Sequence, residues 1–313
     1  MINNRKGFFV TAIIILFLAL QPFFVNRNDV INLFIMIFLV IALSSAYNIL
    51  GGYAGQVNFG YSAFFGIGAL VTNLLIKSEL PFLGALLISG IAAVLLGFII
   101  GVPCLRLRGP YFAIGTLALA EAVAITVMRL LPGTCYLPPT YMASYSLVSR
   151  YYLFLALAAI VVLIVYLISR SKVGLGMMCI RDDEDAAASI GVNIFRHKLM
   201  ALCISNFLGG LAGGAFAFYH VAYYYDHPFS IEWTVTSMVS VVIGGMGTVT
   251  GPIIGSVVFV GLQYLFVHYV GETQALLFGI LFIIVVLRWP GGLAPAASRI
   301  VKYIDKLSPE HVA

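Results

Sequence analysis

The chain consists of long uncharged apolar stretches separated by short connections that carry the charged side chains. The uncharged stretches cover residues 7–26, 30–76, 80–105, 109–120 with a continuation to 128, 151–169, 199–225, 233–271 and 273–287. An apolar stretch of about 20 residues is long enough for a helix to cross the hydrocarbon core of a bilayer. The pattern therefore predicts a series of membrane-spanning helices.

Two of these stretches are too long for a single span, and both contain a glycine-rich segment. The stretch 30–76 contains ILGGYAGQ (49–56), and the stretch 233–271 contains GGMGTVTGP (244–252). Broken backbone is tolerated at membrane depth only where protein or water covers it. If each long stretch forms two helices, the total is about ten. We predict an all-α, polytopic integral membrane protein that forms a single domain over residues 1–313, with about 8–10 transmembrane helices and glycine-broken segments.

Composition strengthens this prediction and excludes other classes of protein. Of the 313 residues, 62% are apolar and 9% are charged, whereas a soluble domain carries about 25% charged residues. These figures exclude a soluble enzyme and a disordered chain. The four cysteines are scattered without a CxxC pair, which argues against a disulfide framework and a structural zinc site. The net charge of +5 comes without the dense basic run that nucleic-acid binding requires.

Lysine and arginine predict the orientation of the spans. With the N-terminus in the cytoplasm, most of these residues lie inside, as the positive-inside rule favours, and both termini are cytoplasmic. Arg27, Lys77, Arg129 and Arg150 then lie outside or near the outer boundary. A signal peptide is the alternative for the first stretch, but the stretch is long for one and no cleavage site follows it, so an uncleaved span is favoured.

One predicted cytoplasmic loop, residues 169–198, concentrates charges of both signs. Its acids precede three alanines and Gly191, which predicts a short helix ended by the glycine, with Ala187 and Ile190 on one face. Such a low-profile helix can dock into a groove on another protein; an ordinary solvated connector is the alternative. The segment assigned to docking comprises Arg181, Asp182, Asp183, Glu184, Asp185, Ala186, Ala187, Ile190 and Gly191.

Glu121 is the conspicuous charge within the predicted membrane region, about midway along 110–131. A charged side chain at a helix centre is costly, so this carboxylate is expected to face a cavity or a partner. It is a candidate for the transport pathway, and a helix-packing residue is the alternative.

A second polar group, Gln56, Asn58 and Ser62, follows the first glycine-rich segment. Amides and exposed backbone near a helix break can recognise a zwitterion. We assign these residues and Thr116 to the candidate pathway. Hydrogen bonding between helices is the alternative for them.

Four glycine pairs have the small-xxx-small spacing that lets helices approach closely. They are Gly97/Gly101, Gly209/Gly213, Gly210/Gly214 and Gly251/Gly255. We expect these positions at helix crossings.

Several segments, in this order and spacing, resemble the branched-chain amino acid permeases of ABC importers, specifically the LivM-type subunits. DAAASIG (185–191) is similar to the EAAxxxG loop of importer permeases, with Asp185 in place of the glutamate. The other matching segments are YNILGGYAGQVNFGYSAFFGIGAL (47–70), RLRGPYFAIGTLALAE (106–121), GLGMMCIRDDEDAAASIGVNIFRHKLMALCIS (174–205), GGMGTVTGPIIGS (244–256) and RWPGGL (288–293).

The resemblance implies a bacterial inner-membrane importer with several subunits. Two homologous permease subunits form the pathway, ATPase subunits bind the 169–198 loop from the cytoplasm, and a soluble extracytoplasmic protein delivers the substrate. The chain has no Gly-Lys dipeptide and so no P-loop. It is therefore expected not to be an enzyme and to hold neither a cofactor nor a metal, with ATP bound by the partner. Because the predicted external loop 132–149 is uncharged, Asp226 and Glu232 are the candidate contacts for the binding protein.

Other functions stay open at this point. A permease of the same family for urea, short amides or other amino acids is one, and leucine, isoleucine and valine are the substrates that the resemblance favours. A gradient-driven transporter would use Glu121 as an ion site and leave the 169–198 loop without a partner. An intramembrane serine protease at Ser62 lacks a histidine base at membrane depth, and the pair His220 and His227 lacks a third metal ligand.

Overall fold

The computed structural model describes residues 17–22, 27–143, 145–270, 279, 287 and 291–293. Most of the predicted first span, nearly all of the predicted last span over 273–287 and both chain termini lie outside the described residues.

Helices account for most of the described chain, which confirms the all-α prediction. They are α1 (Asn28–Asn48) with a following π-helical turn (Ile49–Tyr53), α2 (Tyr61–Lys77), α3 (Phe82–Cys104), α4 (Pro110–Leu130), α5 (Pro139–Ala143), α6 (Leu147–Ser169), α7 (Lys172–Asp182), α8 (Glu184–Ser189), α9 (Ile194–Tyr219), a 3-10 turn (His227–Phe229), α10 (Ile231–Gly244) and α11 (Thr250–Val270). Two short strands, β1 (Thr134–Tyr136) and β2 (Ala222–Tyr224), pair in antiparallel fashion, with Thr134 opposite Tyr224.

Six described helical segments are long and apolar enough to cross a membrane, and two more are apolar but shorter. The long segments are Asn28–Tyr53, Phe82–Cys104, Pro110–Leu130, Leu147–Ser169, Ile194–Tyr219 and Thr250–Val267, and the shorter ones are Tyr61–Lys77 and Ile231–Gly244. The protein is therefore a multi-pass membrane protein.

Both overlong apolar stretches divide into two helices at their glycine-rich segments, as predicted. After the π-helical turn the chain resumes a helix at Tyr61, and α10 ends at Gly244 before α11 begins at Thr250. Gln56 and Asn58, in the first interruption, are both buried. Protein thus covers this broken backbone, as a lipid environment requires.

The two interruptions lie at the same end of the bundle as the 169–198 loop. Asn48, at the end of α1, bonds to Gly247 and Thr248 in the second interruption, and Arg181 of α7 bonds to Gly52 in the first. We call this the loop end, and we call the opposite end, which carries β1 and β2, the sheet end.

Helix α9 lies at the centre of the bundle and contacts α2 and α3 almost backbone to backbone. In the most apolar window of each segment, 72% of α9 is buried but only 28% of α4. The predicted glycine pairs lie at crossings, since an added Cβ would press on another helix or on backbone beside the second interruption. The crowded partners are Asn206 for Gly97, Leu202 for Gly101, Tyr61 for Gly209, Ala93 for Gly210, Phe65 for Gly213, Thr72 for Gly214, Gly245 for Gly251 and Ser240 for Gly255.

At the sheet end, a buried arginine is held by aromatic rings and a carbonyl. Only 2% of Arg150 is exposed, and its Nε donates to the carbonyl oxygen of Phe218 at 3.1 Å. The guanidinium carbon lies 3.4 Å from the ring centre of Tyr145 and 4.6 Å from that of Phe218. Ring faces attract the cation, so Arg150 ties the start of α6 to the end of α9.

Replacing glycine by alanine is predicted to have opposite effects on stability at two positions. In Gly213→Ala the new methyl would overlap the carbonyl oxygen of Phe65, and overpacking of this kind costs about 1–3 kcal/mol. In Gly261→Ala nothing lies within 4 Å of the new methyl, and the loss of a helical glycine stabilises by about 0.4–1 kcal/mol.

We therefore expect a lower melting temperature for Gly213→Ala and an unchanged or higher one for Gly261→Ala, measured on detergent-purified protein. A Gly213→Ala variant that melts at or above the wild-type temperature would contradict the close crossing of α2 and α9.

Candidate functional site at the loop end

The 169–198 loop folds into two short helices joined by Asp183. The Oδ1 atom of Asp183 accepts hydrogen bonds from the backbone N–H groups of Asp185 and Ala186, both at 2.9 Å, and so caps α8. Gly191 ends the segment with φ +86°, a conformation that glycine adopts readily. The predicted short helix is confirmed, with Asp183 as its cap.

Helix α7 is an element that the sequence analysis did not predict. Two glycines near its start, Gly174 and Gly176, lower helix propensity and conceal it. Both glycines are buried, and a Cβ on Gly174 would overlap the carbonyl oxygen of Ile168 at the end of α6. Gly174 therefore lets α7 pack tightly against the end of the preceding helix, and Gly176 lets it pack against the ring of His197 in α9.

Helix α8 presents one face to the protein and the other to its surroundings. Ala187 is 2% exposed, whereas Ile190 is 73% exposed, so these two residues do not form the single docking face that their spacing predicted. The exposed knob of the loop consists instead of Asp185, Ala186, Ala188, Ser189, Ile190 and Gly191.

A cluster of charges anchors α8 to the rest of the loop end. Glu184 binds the ammonium of Lys198, whose side chain is 3% exposed, and its second oxygen lies 3.8 Å from Nε of Arg108. Arg108 also approaches Asp185 at 3.5 Å, and Nε2 of Gln56 donates to Glu184 at 3.5 Å. A buried ammonium needs such a partner, so the pairing of Lys198 with Glu184 holds α8 against the start of α9.

Arg181 reaches from α7 into both interruptions of the membrane helices. Its Nη1 donates to the carbonyl oxygen of Gly52 at 3.1 Å, and its Nε and Nη2 both donate to Asp182 at 3.1 Å. A Cβ on Gly247 would overlap the same Nη1. Arg181 therefore contacts the protein's own broken helices as well as the loop surface.

Asn48 joins the two interruptions to each other. Its Nδ2 donates to the carbonyl oxygen of Thr248 at 2.8 Å, and its Oδ1 accepts from the backbone N–H of Gly247 at 2.9 Å. The side chain is fully buried. The sequence pattern does not single out Asn48, Arg108 or Lys198. The position of Asn48 just before the first glycine-rich segment is the one available signal among them.

The other pathway candidates bond locally around Gly60. Asn58 accepts from the backbone N–H of Gly60 at 2.9 Å, the N–H of Ser62 donates to Oγ1 of Thr234 at 2.8 Å, and Thr116 donates to the carbonyl oxygen of Ala113 at 2.9 Å. Asn58, Ser62 and Thr116 are all buried. The first two bonds stabilise the start of α2 and its contact with α10, and the third lies within α4. A direct role of the three residues in transport stays a prediction.

Glu121 lies on an open pocket that reaches toward the sheet end. The pocket has a volume of about 350 Å³, and its lining includes Asp226, His227, Met128 and Phe229. Glu121 and Asp226, which were assigned separately from the sequence, thus line the same pocket. Glu232 is exposed in the first turn of α10.

The histidine pair at the sheet end packs among aromatic rings. Among the described residues, no group of three metal-binding side chains comes together. Burial, with a smaller contribution from the nearby His227, lowers the pKa of His220 to about 4. His220 is therefore neutral near pH 7 and packs among aromatic rings, including that of Phe216.

The sequence of the chain is similar to those of known transport permeases. The family described as the permease component of branched-chain amino acid transport systems matches residues 29–286. The high-affinity branched-chain amino acid transport system permease protein LivM of Escherichia coli (strain K12) is 30% identical and aligns over 93% of this chain and 75% of its own length. The probable branched-chain amino acid transport permease protein LivM of Methanocaldococcus jannaschii is 23% identical, over 85% of this chain and 94% of its own. No solved structure matches the chain.

The matched region includes the described membrane helices, both interruptions, the loop and the Glu121 pocket. The chain therefore belongs to the permease family of branched-chain amino acid transport systems.

Proposed function

We propose that this protein is a transmembrane permease subunit of an ATP-driven importer for branched-chain amino acids, and that it forms half of the translocation pathway. The names of its relatives support the substrate class. The observation that carries the mechanism is the exposed knob of α8, which the Glu184 cluster fixes to the membrane helices.

The knob has the properties needed to receive force from a partner. Ile190 exposes 73% of its surface beyond the membrane helices, where a large apolar side chain favours burial against another protein. Behind it, Ala187 is buried and Glu184 binds Lys198. A partner that moves the knob would consequently move the ends of the helices as well.

The loop end is proposed to face the cytoplasm of a bacterial cell and to bind an ATPase subunit. The described lysines and arginines at this end are Arg106, Arg108, Arg170, Lys172, Arg181, Arg196 and Lys198, a concentration that the positive-inside rule favours. ATP binding and hydrolysis are assigned to the partner, and this chain is assigned no catalytic activity and no cofactor.

The sheet end is proposed to receive substrate from an extracytoplasmic binding protein, which Asp226 and Glu232 contact. The pocket between Glu121 and Asp226 opens at the side of α4. This helix is the least buried of the long apolar segments. A second, homologous permease subunit beside α4 would close this pocket and complete the pathway. The carboxylate of Glu121 would then meet the ammonium group of an entering amino acid.

The first prediction concerns the knob. Burying an isoleucine contributes about 1.5–3 kcal/mol, so Ile190→Arg should weaken ATPase binding by about tenfold or more. We expect the ATPase to be lost from the purified complex and ATP-dependent uptake to fall, while the amount of permease in the membrane stays at the wild-type level.

Tyr136→Arg is the matched control, since Tyr136 is 61% exposed at the sheet end and the variant should retain the ATPase. Normal uptake and a normal ATPase content in Ile190→Arg would make the loop an ordinary connector. ATP-independent uptake by the chain alone in liposomes would instead identify a gradient-driven transporter.

The second prediction concerns Glu121. An exposed carboxylate contributes about 1 kcal/mol of attraction to a nearby cation, so Glu121→Gln should raise the KM for uptake roughly fivefold without loss of assembly. Glu79→Gln, which removes an exposed carboxylate at the sheet end away from the pocket, should leave the KM unchanged. An unaltered KM for Glu121→Gln across the pH range would return Glu121 to a packing role.

A further inference from the structure

The π-helical turn after α1 leaves a backbone carbonyl that needs a partner. In a regular helix the N–H of Gln56 would bond to the carbonyl of Gly52. Here that N–H bonds to Leu50 at 3.0 Å, and the N–H of Ala54 bonds to Ile49 at 3.2 Å. The carbonyl of Gly52 instead accepts from Nη1 of Arg181 at 3.1 Å. A side chain of the loop thus satisfies a backbone group of the first broken helix.

The shape of both interruptions leaves room for the Arg181 side chain. A Cβ on Gly247 would overlap Nη1 of Arg181, and a Cβ on Gly55 would lie 2.9 Å from its Cγ. Gly247 has φ +70°, a conformation that glycine adopts readily. The side chain of Arg181 therefore lies between the two interruptions.

Asn48 connects the two interruptions that Arg181 contacts. It bonds to Gly247 and Thr248 in the second interruption, and a Cβ on Gly52 would overlap its Oδ1. A displacement of the Arg181 guanidinium therefore acts on the end of α1 and on the connection from α10 to α11 at once.

We propose that Arg181 is a positioning residue that transmits movement of α7 and α8 to the two broken membrane helices. The inference rests on the proposed function, because the movement originates in an ATPase bound to the knob. Arg181 itself faces the membrane helices, with 35% of its side chain exposed. Its role is thus to connect the loop to the pathway, which is distinct from binding the ATPase.

The test uses the complete importer, with both permeases, the ATPase and the binding protein, reconstituted in liposomes. The measured quantity is the number of leucine molecules transported per ATP hydrolysed. Arg181→Met keeps the length of the side chain but removes its hydrogen bonds, and we expect this ratio to fall at least fivefold with a wild-type content of ATPase. Arg181→Lys keeps the charge but loses the planar fork, and we expect a smaller fall, of at least twofold.

Arg106→Met is the matched control, since Arg106 is an exposed arginine at the same end, and its ratio should equal that of the wild type. A wild-type ratio in an assembled Arg181→Met complex would overturn the inference and leave the proposed function intact. If the Arg181→Met complex does not assemble, the Arg181→Lys complex provides the test. A wild-type ratio in Arg181→Lys would overturn the inference and leave Arg181 with a structural role only. Transport by wild-type permease without ATP would contradict the proposed function itself.

Discussion

Backbone hydrogen bonding in an apolar environment is the constraint on which the rest of this structure depends. An interrupted helix leaves N–H and C=O groups that lipid cannot satisfy, and this chain interrupts two of its apolar stretches. Asn48 bonds to the second interruption, Arg181 to the first, and Asn58 and Thr234 to the start of α2. Because Arg181 comes from the loop, its bond to the first interruption also fixes the loop against the bundle.

The local sequence pattern was enough to predict elements whose bounds are marked by nearby residues. The interruptions of 30–76 and 233–271 followed from span length and glycine content, and α8 followed from acids at its start and Gly191 at its end. Helix α7 was missed because Gly174 and Gly176 lower helix propensity, while their close packing is visible only in three dimensions. The separate assignment of Glu121 and Asp226 has the same cause, since no local pattern shows that residues so far apart share a pocket.

Charge pairing at the loop end was equally inaccessible to sequence reasoning. The run from Arg181 to Asp185 reads as one acidic patch, but its members serve different purposes: Asp183 caps a helix, Glu184 binds Lys198, and Asp185 remains exposed near Arg108. Burial sets these differences, because a buried ammonium must be paired, whereas an exposed carboxylate gains little from a partner. Carboxylates of α8 therefore anchor one side of this short helix, while its other side stays accessible.

The glycine crossings of α9 determine which parts of the bundle can change their relative positions. Where Gly210 and Gly213 bring backbones into contact with α3 and α2, the helices interlock and cannot slide past one another without a steric clash. A movement of any one of these three helices would therefore carry the other two with it.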